Sequence, residues 1–541
     1  MEACLLKERT GILRRLHLAL AAAILLAALP ALAEEPRFTV RAYMVEGATL
    51  LPAERIAATL QAFTGEGRNY DTLRQAVEAV EALYARAGYG AVRVQLPEQD
   101  IDAGIVRLRV IEARLGRIRV EGNKHFTTDN ILASVPALVE GLPPRLDQAG
   151  ASLALANQSF AKRTRLTLQR GSEPGTVDAL LGVADMAPWR FAASLDNTGD
   201  DATGDYRLGL TYQHTNLWDR DHAFSAQFIT SPGHTDQVSI YGLGYKIPLY
   251  ALGDSVEAAW GHSNVDSGNV NTAAGNYAIA GRGDFATLRY NLGLPRFAGI
   301  EQRLAIAFDW RLYESNVALT GSGVSLVPDL TSAPASLTYV LNSPASDQAL
   351  RWEAALGYVR NLPSGGRGTQ AAYNQPGARP GADARFEIWR WFLSAQAPLP
   401  GGFSLRGELN GQHTRDLLIP GEQFGIGGMY SVRGYGEREI LNDRGYRGSL
   451  ELASPAATLS LGGAGDLRAN LVAFHDFGTV FRNKPLPGEI RSDRAASVGF
   501  GVRLAAGPNL LVRLDLARAL TDAGSTQAGD HKAHAQLLVL F

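Results

Sequence analysis

Side chains that could do covalent chemistry are present, but not in the patterns such chemistry needs. A phosphate-binding loop ending in Gly-Lys-Ser/Thr, the serine-hydrolase Gly-x-Ser-x-Gly, the zinc-protease His-Glu-x-x-His and paired Cys-x-x-Cys are all absent from the 541 residues. The ten histidines show no ligand spacing. Asp200-Asp201, between Gly199 and Gly204, offers oxygen ligands for calcium but reads as a polar loop. No catalytic residue, metal or cofactor is therefore assigned. Two segments remain whose charges stand in unusual company. Gly425-Ile426-Gly427-Gly428-Met429-Tyr430-Ser431-Val432-Arg433-Gly434-Tyr435 sets one arginine among glycines, which accept φ > 0 and occupy little volume, so a long loop can fold tightly in a narrow space. Phe474-His475-Asp476-Phe477-Gly478 sets one carboxylate among aromatic residues.

What must position these segments follows from composition and periodicity. Lys plus Arg (52) nearly balances Asp plus Glu (54), which excludes the basic excess of a nucleic-acid binder. Charged residues make up 20% and hydrophobic ones 46%, so the chain is not intrinsically disordered. Lys7, Arg9, Arg14 and Arg15 precede the apolar run Leu16 to Leu29 and the small-x-small triplet Ala31-Leu32-Ala33, so residues 1–33 read as a signal peptide that carries away the only cysteine, Cys4. No later run of 18 apolar residues predicts a membrane helix, although a membrane barrel of alternating strands would hide from that test.

Residues 34–113 and 114–188 each read as β-α-α-β-β, an internal repeat of small α/β modules. In the first, Phe38 to Val45 reads as one strand. Pro52 to Phe63 and Asp71 to Ala87 read as helices, the latter capped by Asp71 and closed by Gly88, and Gly90 to Leu96 and Ile105 to Ile111 as strands. In the second, strands are expected at Leu115 to Val120, Arg163 to Arg170 and Thr176 to Val183, with helices at Thr128 to Leu138 and Asp147 to Asn157.

From residue 189 to 541 the helical period gives way to alternation. Leu304, Ile306, Phe308, Trp310 and Leu312 are set against Arg303, Ala305, Ala307, Asp309 and Arg311, and Leu510, Val512, Leu514 and Leu516 against Leu511, Arg513, Asp515 and Ala517. Apolar side chains on one face and Arg, Asp or Gly on the other, over about ten residues, suit a lipid-facing barrel with a watery lumen. A soluble β-sandwich also alternates, but aromatic residues at segment ends (Trp189, Trp218, Tyr250, Trp310, Tyr313, Trp389, Trp391) favour interface girdles. About sixteen antiparallel strands are expected, beginning near Trp189, Asp205, Phe224, Gln237, Ser255, Phe285, Arg303, Arg351, Gly368, Phe386, Ser404, Tyr446, Arg468, Ala496, Asn509 and Ala533, the ninth weakly patterned. The expected fold class is thus an all-β transmembrane barrel preceded by two small α/β domains. Its longest outer connections would be Val317 to Gln348 and Arg415 to Arg444.

The motifs resemble, in order, those of the outer-membrane transporters of two-partner secretion (TpsB), the haemolysin secretion/activation branch of the POTRA-plus-barrel superfamily. Val432-Arg433-Gly434-Tyr435 is similar to the family's VRGY loop, and Phe474, Asp476 and Gly478 to its F-x-D-x-G strand. Glu173 to Asp178 resembles its PGT-(V/L)-D segment, and Leu195 to Gly199 its first barrel hairpin. The alternation that turns Leu471, Ala473 and Phe477 toward lipid turns Phe474, Asp476 and Gly478 toward the lumen, but also turns His475 outward. The resemblance implies that Arg433 pairs with Asp476 in a sheltered lumen. It implies a translocator, not an enzyme, that binds an unfolded, large haemagglutinin- or haemolysin-like exoprotein in the periplasm and exports it through the pore. The protein would be a monomer in outer-membrane lipid, with POTRA domains in the periplasm and no nucleic-acid partner. Members often begin with a plug helix and linker, whereas here only Glu34 to Arg37 separate the cleavage site from Phe38, so closure is expected to fall to the Arg433 loop. A barrel-assembly insertase and a passive porin are the alternatives; insertases typically carry more POTRA units and porins carry none.

Overall fold

The computed structural model describes residues 36–201, 203–265, 268–279, 281–314, 327–343, 350–460 and 466–541. The expected signal peptide, residues 1–33, lies outside them. The chain divides after Arg114 into two compact units. In the first, Ala42–Glu46 runs parallel to Ile105–Ile111, whose other side takes Arg93–Gln95. Helical spacing on Tyr70–Arg86 turns Leu73, Ala76, Val80, Leu83 and Tyr84 onto Val94, Val106, Leu108 and Val110. Two expectations are corrected. The helix is capped by Asn69, whose extended backbone (φ −130°, ψ −177°) lets its side chain accept the Thr72 N–H, while Asp71 sits in the first turn. The segment Phe38 to Val45 is two strands: the Arg41 N–H leaves for the Gly104 carbonyl (2.7 Å), and Phe38–Val40 pairs with Gly65–Arg68 instead.

The second unit opens with a sheet ordered Arg114–Glu121, Thr176–Asp185, Lys162–Arg170, covered by helices Thr128–Ala133 and Leu146–Ala156. The first of these helices stops at Ala133, short of the expected Leu138, because Pro136 disfavours helical geometry in the residue before it. Glu121 and Asp185 end the strands at a turn where Asp185 accepts N–H bonds from Lys124, His125 and Phe126.

From Trp189 the sheet closes on itself. The closed order holds eighteen segments, two of which, Leu330–Ser332 and Ala457–Ser460, are short pieces beside Pro334–Asn342 and Arg444–Ala453. Sixteen antiparallel strands therefore cross. The last strand, His531–Leu540, meets the first, Trp189–Asp196, from Gln536↔Asp196 to Leu540↔Ala192. Ile306, Phe308 and Trp310 are exposed on the outside, and Asp515 is buried on the inside. The belt of exposed Leu, Ile, Phe and Trp around the barrel exceeds what a soluble monomer tolerates and suits a lipid solvent. The ninth expected strand is corrected: Gly366–Gly368 and Gln370–Tyr373 are short helices in a connection, and the missing strand is Pro334–Asn342, inside what read as the loop Val317 to Gln348. Proline is tolerated there because it is the strand's first residue. Two expected girdle residues also turn away from lipid: the Tyr250 hydroxyl donates to Asp221 and that of Tyr313 to Glu422.

Candidate functional site

The connection between Ser404–His413 and Arg444–Ala453 leaves the barrel at the end opposite residue 188, then folds back inside it. Phe424–Ile426 and Ile440–Asn442 pair as its stem. Ile426, Val432, Tyr435 and Ile440 pack on the wall residues Val480, Ala495 and Ala519. Arg433 is carried by the tip of this loop and is almost wholly buried, its side chain 2% exposed.

Arg433 makes a two-pronged contact with Asp476: Nε to Oδ2 at 2.6 Å and Nη2 to Oδ1 at 2.8 Å, with the Arg433 N–H adding a third bond to Oδ2 (3.1 Å). Its planar fork matches both carboxylate oxygens, which an ammonium could not do. Phe474 lies beneath the guanidinium, 3.5 Å from its ring centroid. The remaining N–H groups reach Glu451 (2.7 Å) and Ser449 (3.2 Å), and Ser449 in turn donates to Asp476 (2.6 Å). Asp515 binds Arg503 and Arg513, each at 2.7 Å, and lies 3.5 Å from Arg433. Three guanidinium groups thus meet three carboxylates, so desolvation of each charge is offset locally.

The neighbours in the motif have their own places. Gly434 adopts φ 94°, which only glycine takes without strain, and its N–H donates to His534 Nε2 (3.0 Å). The Tyr435 hydroxyl donates to the Thr521 carbonyl (2.7 Å) and accepts the Ala496 N–H (3.3 Å). Gly478 lies under Ile426, where a Cβ would stand 2.9 Å from Ile426 Cδ1. His475 does face outward, stacked on Phe477, with Nδ1 donating to the Ser497 carbonyl (3.0 Å).

A second set of contacts, not anticipated from the sequence, holds the root of the loop. Glu422 is 1% exposed and accepts from Arg311 (2.9 and 3.0 Å), Tyr313 (2.9 Å) and Ser332 (2.7 Å), with Arg390 at 3.5 Å. Asp443 takes Arg379 (2.8 Å from Nη2) and the N–H groups of Leu418 (2.9 Å) and Asn483 (2.8 Å). The available signal was strand parity: Arg311 and Arg390 fall on lumen-facing positions and need an acid from somewhere.

A closed barrel with an apolar exterior, a loop anchored in a charged lumen and two α/β modules before it define a class: the outer-membrane transporters that carry POTRA domains. The family model for "Haemolysin secretion/activation protein ShlB/FhaC/HecB" matches residues 175–504, and the model for the ShlB-type POTRA domain matches residues 38–113. The chain belongs to this family. It is 25% identical over 428 residues to the outer membrane transporter CdiB of Dickeya dadantii (strain 3937), covering 76% of this chain and 71% of that one. It is 20% identical over 498 residues to the heme/hemopexin transporter protein HuxB of Haemophilus influenzae, covering 90% and 84%. Its fold matches the solved structure of CdiB from Escherichia coli with a TM-score of 0.75 at 20% identity, covering 95% of this chain and 92% of that one. The protein is therefore an outer-membrane transporter of the two-partner secretion type, a family that secretes partner exoproteins, with its POTRA modules in the periplasm.

Proposed function

We propose that this protein exports a large exoprotein in unfolded form, as a monomer in the outer-membrane lipid and without catalytic chemistry of its own. The POTRA sheets capture the passenger, the barrel conducts it outward, and the Arg433–Asp476 contact holds the inserted loop in its working position. The observation that carries capture is a strand edge. In Lys162–Arg170, the Thr164 N–H and carbonyl point away from Thr176–Asp185 and are taken by the Asn157 side chain. Alternation turns the backbone groups of Leu166, Leu168 and Arg170 the same way, and past Asn157 nothing covers them among the described residues. An extended passenger can add as a further strand there, through main-chain hydrogen bonds that are largely independent of its sequence. Edge strands tolerate proline where the N–H faces solvent, so Leu168→Pro removes the central donor without breaking a ladder bond, and because the Leu168 side chain packs on the module's core, circular dichroism of the variant checks that the module stays folded. With the partner exoprotein co-expressed, Leu168→Pro lowers its appearance in the medium at least tenfold at equal barrel level; undiminished export would exclude capture at this edge.

A further inference from the structure

The connection between Asp254–Ser263 and Gly283–Phe297 also leaves the barrel at its outer end, yet its hairpin, Gly268–Thr272 paired with Gly275–Ile279, lies against the inner wall. The Asn271 N–H donates to Gln227 Oε1 (2.7 Å), the Ala273 N–H to Ser225 Oγ (2.6 Å), and Arg289 donates to the Ala274 carbonyl (3.3 Å). Ser225 and Gln227 are lumen-facing residues of His222–Thr230, a strand that starts at the periplasmic end, so the hairpin turn reaches about 10 Å from that end. The wall makes room for it at Gly244, which faces Ser225 across the strand pair: a Cβ there would stand 2.5 Å from the Thr272 Cβ. Asn271 and Asn276 line the same lumen cavity as Tyr430 of the Arg433 loop and Arg447 of the far wall. Ala273 lines a second cavity at the periplasmic mouth with Phe160, Arg190 and Tyr250.

Among the described residues these two inserted elements share the lumen, and their attachments differ in kind. The Arg433 loop is tied by buried charge pairs, whereas Gly268 to Ile279 contains no charged residue, and the hydrogen bonds above join its backbone to Gln227, Ser225 and Arg289 of the wall. The two bonds to Gln227 and Ser225 are neutral and the one from Arg289 is long (3.3 Å), so together they contribute less than the buried two-sided ion pairs of the Arg433 loop, and the hairpin is the more readily displaced of the two. We propose that this hairpin is a detachable closure of the pore, displaced from the Ser225–Gln227 wall when a polypeptide enters from the periplasm. The proposal rests on the export reading for its cause but not for its geometry.

Two experiments on the full-length chain test it. The first puts Ser225→Cys and Ala273→Cys in one chain, whose only other cysteine is Cys4. Oxidised, this variant should export the partner exoprotein at least tenfold less than the same chain reduced, with each single variant exporting normally. A cross-linked hairpin that exports undiminished overturns the proposal. The second uses no passenger: Gly244→Leu displaces Thr272 and should raise single-channel conductance in planar bilayers several-fold over the parent, and unchanged conductance overturns the proposal. A parent chain that exports nothing would count against the export reading alone, since the conductance comparison decides the hairpin by itself.

Discussion

At the scale of single residues, burial decides which charges matter. An exposed ion pair contributes about 0 to 1 kcal/mol, whereas removing one partner of a buried pair costs about 3 to 5 kcal/mol. Arg433→Ala would leave Asp476, which is 0% exposed, without its main partner, so the loop tip should leave its seat while the sheet around it persists. Secretion of the partner should be lost with heat-modifiable, assembled barrel still present on gels, and Arg433→Lys should rescue little, since one ammonium cannot replace the fork. A different residue governs acid stability of the first module. Burial opposes charge on Glu112, but bonds from Thr49, from the Leu50 N–H and from Tyr84 outweigh it and hold the carboxyl below its ordinary range. A carboxylate whose folded-state value is lowered stabilises fully above its unfolded value of 4.5 and loses that contribution as pH falls through the lower folded-state value. Acid titration should thus unfold the module of residues 38–113 on the acid side of pH 4.5, with Glu112→Gln less stable at neutral pH and its stability flatter across that range by circular dichroism.

At the scale of elements, the second module is joined to the barrel by a buried polar knot. Lys162 donates to Asp221 (2.6 Å) and Asn130 (2.9 Å); Tyr250 donates to the same Asp221 carboxylate (2.6 Å); and Asn130 reaches Asn216 (3.1 Å) in the first periplasmic turn. Burial pushes the Lys162 ammonium below its ordinary value, against the pull of Asp221. Ser152 adds a bond to the Tyr250 carbonyl (2.8 Å). Lys162→Met strands a buried carboxylate and should expose the junction near residue 188 to limited proteolysis while the barrel stays heat-modifiable. Lys162→Met with Asp221→Leu removes both charges and should restore much of the protection, because apolar replacement of a whole buried pair is tolerated better than loss of one half. Equal protection of wild type and Lys162→Met would show that the knot does not fix the module.

At the scale of the whole molecule, the barrel and the periplasmic modules have separate cores. Deleting residues 38–188 should therefore leave a folded, membrane-inserted barrel and abolish export, as read by heat-modifiability and by partner protein in the medium. Export by the isolated barrel would place substrate recognition in the pore. Barrel stability comes from closure of the ladder, in which Asn197 helps by donating to the Ala533 carbonyl (2.8 Å) and accepting the Ala535 N–H (2.8 Å) across the seam.

Much of this was readable in the sequence because period and spacing are local properties. Alternation marks a strand without reference to its neighbours, which is why Ile306, Phe308 and Trp310 announced their outward face, and the ordered motifs around Arg433 and Asp476 announced the family. Pro334–Asn342 is hard to read because its proline and serine resemble loop chemistry until a neighbouring strand takes up its hydrogen bonds, and Asn69 and Asp71 are both acceptable caps two residues apart, so sequence alone does not separate them. Beyond the Arg433–Asp476 pair, which the family resemblance implied, only the tertiary structure decided which charges meet. Glu451, Asp515, Glu422 and Arg311 come from strands and loops far apart in the chain, and the side of the wall against which the Gly268–Ile279 hairpin lies is likewise set by barrel closure. Local residue patterns say which way a side chain points, but a partner across a lumen is chosen by the closed sheet's register, which sums over every strand between.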